Sequence, residues 1–193
     1  MEGRKKIVVF NGIHSAGKSE LGKKLEERLG GFRYFGEVGL ELRMEGELEV
    51  SDPGLDFDRQ ILKRESERDA EVLACREIPV IETWHIGNTA YAMGRTPEIV
   101  PLFNERLRDM LKVVQPLAIF LEISHDTYQK RKAARHDDEE FYMKLIGNTK
   151  KVYRDFGIDY IVESNDGDIE GTFGDIAAKL KEKGFITEIA KER

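Results

Sequence analysis

Short apolar runs alternate along this chain with longer stretches in which apolar residues recur every three or four positions. Ile7–Phe10 has the length of a strand and no polar member, the pattern of a strand covered on both faces. Leu21, Leu25 and Leu29 then repeat at helical spacing until Gly30-Gly31 ends the run. Arg33–Val38 reads as a second strand, and Ser51-Asp52-Pro53-Gly54 as a turn. Leu55–Cys75 is a long helical pattern with charges on most faces, followed by a third strand at Ile78–Ile81. Pro97 opens another helix, in which Leu107, Met110, Leu111 and Val114 share a face. Leu117–Ile123 is a fourth strand, Thr127–Arg135 and Glu139–Phe156 are helical, and Ile158–Val162 is a fifth strand after Gly157. Ile169–Lys183 closes the pattern as a helix carrying Phe173, Ile176 and Leu180. Strands alternating with helices predict an α/β fold, a parallel sheet with helices on both faces.

The 193 residues suffice for one well-buried domain, and no composition break marks a boundary within them. No apolar run approaches the roughly 20 residues that cross a bilayer. After MEGRKK the apolar segment IVVF is too short for a secretory leader, and no small-residue cleavage site follows it. Cys75 is the single cysteine and cannot form an intrachain disulfide. These features predict a cytoplasmic protein with no membrane partner. Lys and Arg number 31 against 37 Asp and Glu, a formal charge of −6. That argues against nucleic acid as a partner, which calls for a basic face, but not against a small anion held by a few local cations.

Such a site is written into the first strand–helix junction. Gly12-Ile13-His14-Ser15-Ala16-Gly17-Lys18-Ser19 fits G-x-x-x-x-G-K-[ST] at every fixed position. The glycines allow backbone conformations and close approach that a side chain would block. Successive N–H groups then form a nest for phosphate oxygens, and the helix adds its positive end. Lys18 reaches the terminal phosphates, and the Ser19 hydroxyl can ligate Mg²⁺. His14 sits inside the loop, although such loops bind through backbone. No N-K-x-D guanine motif accompanies the loop, because Asn148-Thr149-Lys150-Lys151 has the wrong order. Nor does the third strand end in the Asp-Glu pair of a ring-forming ATPase, since Ile81-Glu82-Thr83 offers one carboxylate.

The loop, Glu37 after the second strand, Glu82 after the third and a basic stretch after the fourth together resemble the P-loop nucleoside and nucleotide kinases. The likeness is to thymidylate kinases, deoxynucleoside kinases and ribosylnicotinamide-kinase-type ATP-binding domains, and it covers nearly the whole chain. It implies a five-stranded parallel sheet with the loop strand central, and a small basic lid at about residues 130–140. The implied activity is Mg²⁺-dependent transfer of the ATP γ-phosphoryl to a nucleoside or nucleoside monophosphate. The implied partners are a nucleotide donor and a small-molecule acceptor, and a homodimer is compatible with the family.

The resemblance also implies roles for single residues. Lys18 and the loop hold the donor, and Asn165, after the fifth strand, borders its adenine. Ser19 and Glu82 organise Mg²⁺, with Glu82 a candidate for taking the acceptor's proton. Arg131 and Arg135, spaced i, i+4 in a lid that also holds Lys130 and Lys132, clamp the transferring phosphoryl. Glu37, Arg43, Phe57, Arg59 and Arg95 shape the acceptor site. Trp84 either stacks on an acceptor base or packs in the core. The family's arginine after the third-strand carboxylate is missing, and Thr83-Trp84-His85 stands there instead. That departure leaves two other readings open: an ATP hydrolase or nucleotide-dependent regulator, and a kinase of a small molecule without a base.

Overall fold

The structure, a computed structural model, describes residues 3–45, 54–132 and 139–186. Its sheet is built from β1 (Lys5–Gly12), β2 (Phe32–Phe35), β3 (Ile78–Glu82), β4 (Val114–Glu122) and β5 (Asp159–Ser164). All neighbours run parallel in the order β2-β3-β1-β4-β5. The central strand is β1, which explains why its apolar run is unbroken: Ile7 to Phe10 are fully buried, with helices on both sides. The helices are α1 (Lys18–Arg28), α2 (Val38–Met44), α3 (Leu55–Ala74), α4 (Trp84–Arg95), α5 (Val100–Val113), α6 (His125–Lys132), α7 (Glu139–Phe156) and α8 (Ile169–Glu182).

From β1 the chain first builds to one side through β2 and β3, then crosses over β1 to β4 and β5. The strand order therefore reverses beside β1, and a crevice opens there at the carboxyl ends of the strands, where open α/β sheets bind ligands. A large core fills both faces of the sheet. A second, smaller core of Val38, Leu42, Phe57, Ile61, Ala92, Ile99 and Phe103 joins α2, α3, α4 and α5 beside the crevice.

The expected strands are all present, and two expectations are corrected. The second strand stops at Phe35 rather than running to Val38, because Gly36 and Glu37 turn the chain and Val38 begins α2. The Trp84–Arg95 segment, for which the periodicity predicts no element, is a helix. Residues 84–92 are all buried, so no apolar stripe distinguishes one face from another. The Ser51–Pro53 part of the predicted turn lies outside the described residues, as do residues 133–138 of the predicted lid. No described helix is long and apolar enough to cross a membrane.

Candidate active site

The loop leaves β1 at Gly12, whose φ is +141° and whose Cβ, were it present, would stand 2.5 Å from the Leu121 carbonyl oxygen. It enters α1 at Gly17, with φ +91°. Both positions thus require glycine, one for approach to β4 and both for backbone conformation. Lys18 is folded back over the loop, its Nζ donating to the Ile13 carbonyl at 3.0 Å and the Gly12 carbonyl at 3.3 Å. From beyond β5, Asn165 Nδ2 donates to the Ala16 carbonyl at 2.7 Å, bracing the loop from below. Its Oδ1 is buried with no hydrogen-bond partner among the described residues.

Register brings Glu82 to this loop. Phe10 of β1 stands opposite Glu82 of β3, so the carboxylate emerges two residues short of Gly12. The residue is only 4 % exposed. Its Oε2 accepts from the Ser19 hydroxyl at 2.7 Å and from the Tyr34 hydroxyl at 2.6 Å, and its Oε1 lies 3.8 Å from Lys18 Nζ. Ser19 and Glu82 therefore offer two hard oxygens side by side at the end of the phosphate loop. Among the described residues no cluster of three or more His, Cys, Asp or Glu side chains forms a metal cage. This donor set fits Mg²⁺, which takes one or two protein oxygens and completes its octahedron with phosphate and water.

Loop, Ser19 and Glu82 open onto a cleft of about 520 Å³, which also receives Glu37, Arg43, Asn165 and Arg131. Arg131 extends from α6 and donates to the Ser15 carbonyl at 2.9 Å, placing its charge against the loop. Past Glu37 the cleft narrows to a recess of only about 10 Å³, lined by His14, Arg43, Phe57, Asn88, Tyr91 and Arg95. Glu37 caps the start of α2 in extended conformation, and its side chain makes no capping bond. Burial pushes its carboxyl above the ordinary glutamate value; Lys18 and Arg43 pull it down, and Glu82 and Glu65 push it up. The Arg43 and Arg95 guanidinium groups lie 5.3 and 5.4 Å from the Phe57 ring centroid. Arg95 is also neutralised by Asp58. Tyr91 reaches His14 Nε2 at 3.3 Å, so His14 borders both the loop and the recess.

Two expected acceptor residues stand elsewhere. Trp84 is 0 % exposed and its indole donates to Asp69 at 3.0 Å, so of its two open readings the structure takes core packing. Arg59 lies on the outer face of α3, 62 % exposed and paired with Asp56, and does not line the cleft. Arg135 lies outside the described residues.

The sequence pattern did not reveal what orients these side chains. Asp58, Glu65 and Asp69 sit at i, i+7 and i+11 along α3, which is one helix face, and all three are buried. They meet α4 in turn. Asp69 accepts from Trp84, from His85 at 2.9 Å and from Arg106 at 2.7 Å, Glu65 accepts from Asn88 at 2.9 Å, and Asp58 accepts from Arg95 and Thr96. Arg68 binds Glu65 at 2.6 Å and also donates to the Gly36 carbonyl, which ties the Glu37 turn to the same row. Where the family's arginine is missing, Thr83 and Trp84 hold φ of +68° and +47°. A β-branched residue at positive φ is strained, and the paired bonds from Trp84 and His85 to one carboxylate hold the strained turn in place. The spacing of the three acids was the available signal, but charges on the other faces of α3 obscure it.

Comparison with known structures agrees with this architecture. The chain is similar to NadR protein solved in complex with NR, with a TM-score of 0.73 and 16 % identity over 98 % of this chain and 53 % of that one. It thus spans about half the length of that structure. It is also similar to thymidylate kinase from Candida albicans (TM-score 0.67, 12 % identity, 94 % of this chain and 93 % of that one). A third likeness is to deoxyadenosine kinase from M. mycoides (TM-score 0.61, 17 % identity, 92 % and 99 %). No protein-family model matches the chain, and no curated protein matches it by sequence. The fold is that of the P-loop nucleotide kinases, with the five strands in the order 2-3-1-4-5.

Proposed function

We propose that the protein is an ATP- and Mg²⁺-dependent phosphotransferase that moves the γ-phosphoryl of ATP to a nucleoside or nucleoside monophosphate. The observation that carries this reading is the two-sided cleft. Phosphate loop, Ser19 and Glu82 occupy one side of the 520 Å³ cleft, and Glu37, Leu40 and Arg43 line the other, with Phe57, Tyr91 and Arg95 packed behind them.

The loop amides and Lys18 would hold the β- and γ-phosphates, and Ser19 with Glu82 would hold the ion that neutralises charge developing between them. Transfer forms a bond from the acceptor oxygen to the γ-phosphorus and breaks the bond to the bridging oxygen, leaving ADP. The acceptor's proton would pass to Glu37, which lies on the acceptor side and whose carboxylate makes no capping bond to α2. Glu82 is already bound to Ser19, Tyr34 and Lys18. Arg131, held against the loop, supplies a cation in place of the absent arginine after Glu82.

Incubation with ATP, Mg²⁺ and a panel of nucleosides, nucleoside monophosphates and base-free sugars or alcohols tests the proposal. The expected result is phosphorylation of an acceptor that carries a base. ATP turnover indifferent to every acceptor would instead identify a hydrolase or regulator, and phosphorylation confined to base-free compounds would identify a kinase of another small molecule.

A further inference from the structure

Tyr34 has no part in the mechanism above, yet its surroundings are specific. It lies on β2 opposite Val80 of β3, and its ring passes over α1 at Gly22. A Cβ at Gly22 would stand 2.5 Å from ring carbons Cδ2 and Cε2. A glycine in mid-helix weakens the helix relative to alanine, and here the ring's approach requires it. The Tyr34 hydroxyl donates to Glu82 Oε2 at 2.6 Å, the oxygen that also accepts from Ser19 at 2.7 Å. Two donors on one oxygen, arriving from β2 and from α1, fix the rotation of the carboxylate. The other oxygen, Oε1, is then the one on the Lys18 side, 3.8 Å from Nζ.

We propose that Tyr34 is a positioning residue that holds the Glu82 carboxylate in the orientation in which Glu82 and Ser19 together receive the Mg²⁺ of a bound nucleotide. The inference rests on the phosphotransferase reading for its metal but not for its transfer step. Tyr34 acts through Glu82 and touches neither nucleotide nor acceptor. Outer groups that orient a metal ligand typically affect metal affinity or activity by ~10–100-fold.

Tyr34→Phe keeps the ring over Gly22 and removes only the hydroxyl. The test measures, by calorimetry, the binding of a non-hydrolysable ATP analogue with Mg²⁺ and with the metal chelated, alongside the thermal unfolding midpoint. The expected result is unchanged affinity without metal, affinity weaker by about tenfold with Mg²⁺, and an increase of about tenfold in the Mg²⁺ concentration for half-saturation. A variant whose Mg²⁺ dependence stays within about twofold of the parent overturns the inference. So does an equal loss with and without the metal, which would mark a purely structural role, and so does a parent protein that binds the analogue no better with Mg²⁺. Failure of every acceptor in the transfer panel leaves this binding test intact, so the two readings fail separately.

Discussion

Two carboxylates face the cleft, and the difference between them lies in their hydrogen bonds. Glu82 is tied by Ser19 and Tyr34, whereas Glu37 faces the recess with its carboxyl pushed up by burial. A glutamate with a raised folded value stabilises the fold below its unfolded value, and that contribution is lost as pH rises through the folded one. The buried carboxyl of Glu37 therefore favours the fold less at pH 7 than at acid pH. Glu37→Gln is expected to lower transfer by about 10²-fold and to raise the unfolding midpoint at pH 7, with the gain vanishing near pH 4 where both forms are neutral. Unfolding scans at the two pH values check the sign, and a midpoint that falls at pH 7 would contradict it. At this scale the sequence was most legible in the loop, because its chemistry depends on residues adjacent in the chain. Glu37 and Glu82 were legible by their places at strand ends. Tyr34 and Asp69 were not, because their partners are 48 and 16 residues away.

The pairing of α3 with α4 decides how the end of β3 is presented. Three buried acids on one face of α3 receive the donors of α4, and Asp69 holds the strained Thr83–Trp84 turn that follows Glu82. Burial alone would push the Asp69 carboxyl up, but the His85, Trp84 and Arg106 donors hold it below its ordinary value. Its contribution to stability is thus present above the unfolded carboxylate value and is lost as pH falls through the folded one. Asp69→Asn leaves the one-third exposed Arg106 without its counter-charge and weakens the buried bonds from Trp84 and His85, a loss typically of about 1–3 kcal/mol. Denaturant unfolding should show a loss of that size, and a change below about 1 kcal/mol would reduce the row to packing. The helix that the sequence pattern missed is the other half of this pairing. A helix covered on every side has no polar face to give it a 3.6-residue period, so α4 became visible only with its neighbours in place.

Across the whole molecule, crossover connections carry the loop strand to the centre of the sheet and bring Gly12, Glu82 and Asn165, from three separate strand ends, to one crevice. A ligand held by all three couples both halves of the fold, so its binding should be read as global stability. ATP with Mg²⁺ at a hundredfold excess over Kd is expected to stabilise the protein by about 2.7 kcal/mol, which for a chain of this size raises the midpoint by roughly 5–10 °C. Lys18→Ala should abolish the shift. A variant that shifts as the parent does would remove the loop from nucleotide binding.

By itself the sequence determined the alternation of strands and helices, an all-apolar strand covered on both faces and the glycine-bounded loop that joins it to the first helix. Each of these rests on local spacing, on backbone freedom at glycine, or on burial that a short window of residues records. Only the tertiary structure decided that Trp84 is core, that Arg59 lies outside the cleft, and that Tyr34 shares one oxygen of Glu82 with Ser19. Those outcomes depend on register between strands and on which face of a helix meets another. A charged residue on a multiply charged helix such as α3 is compatible with a solvated surface or a buried pair until the partner helix is placed.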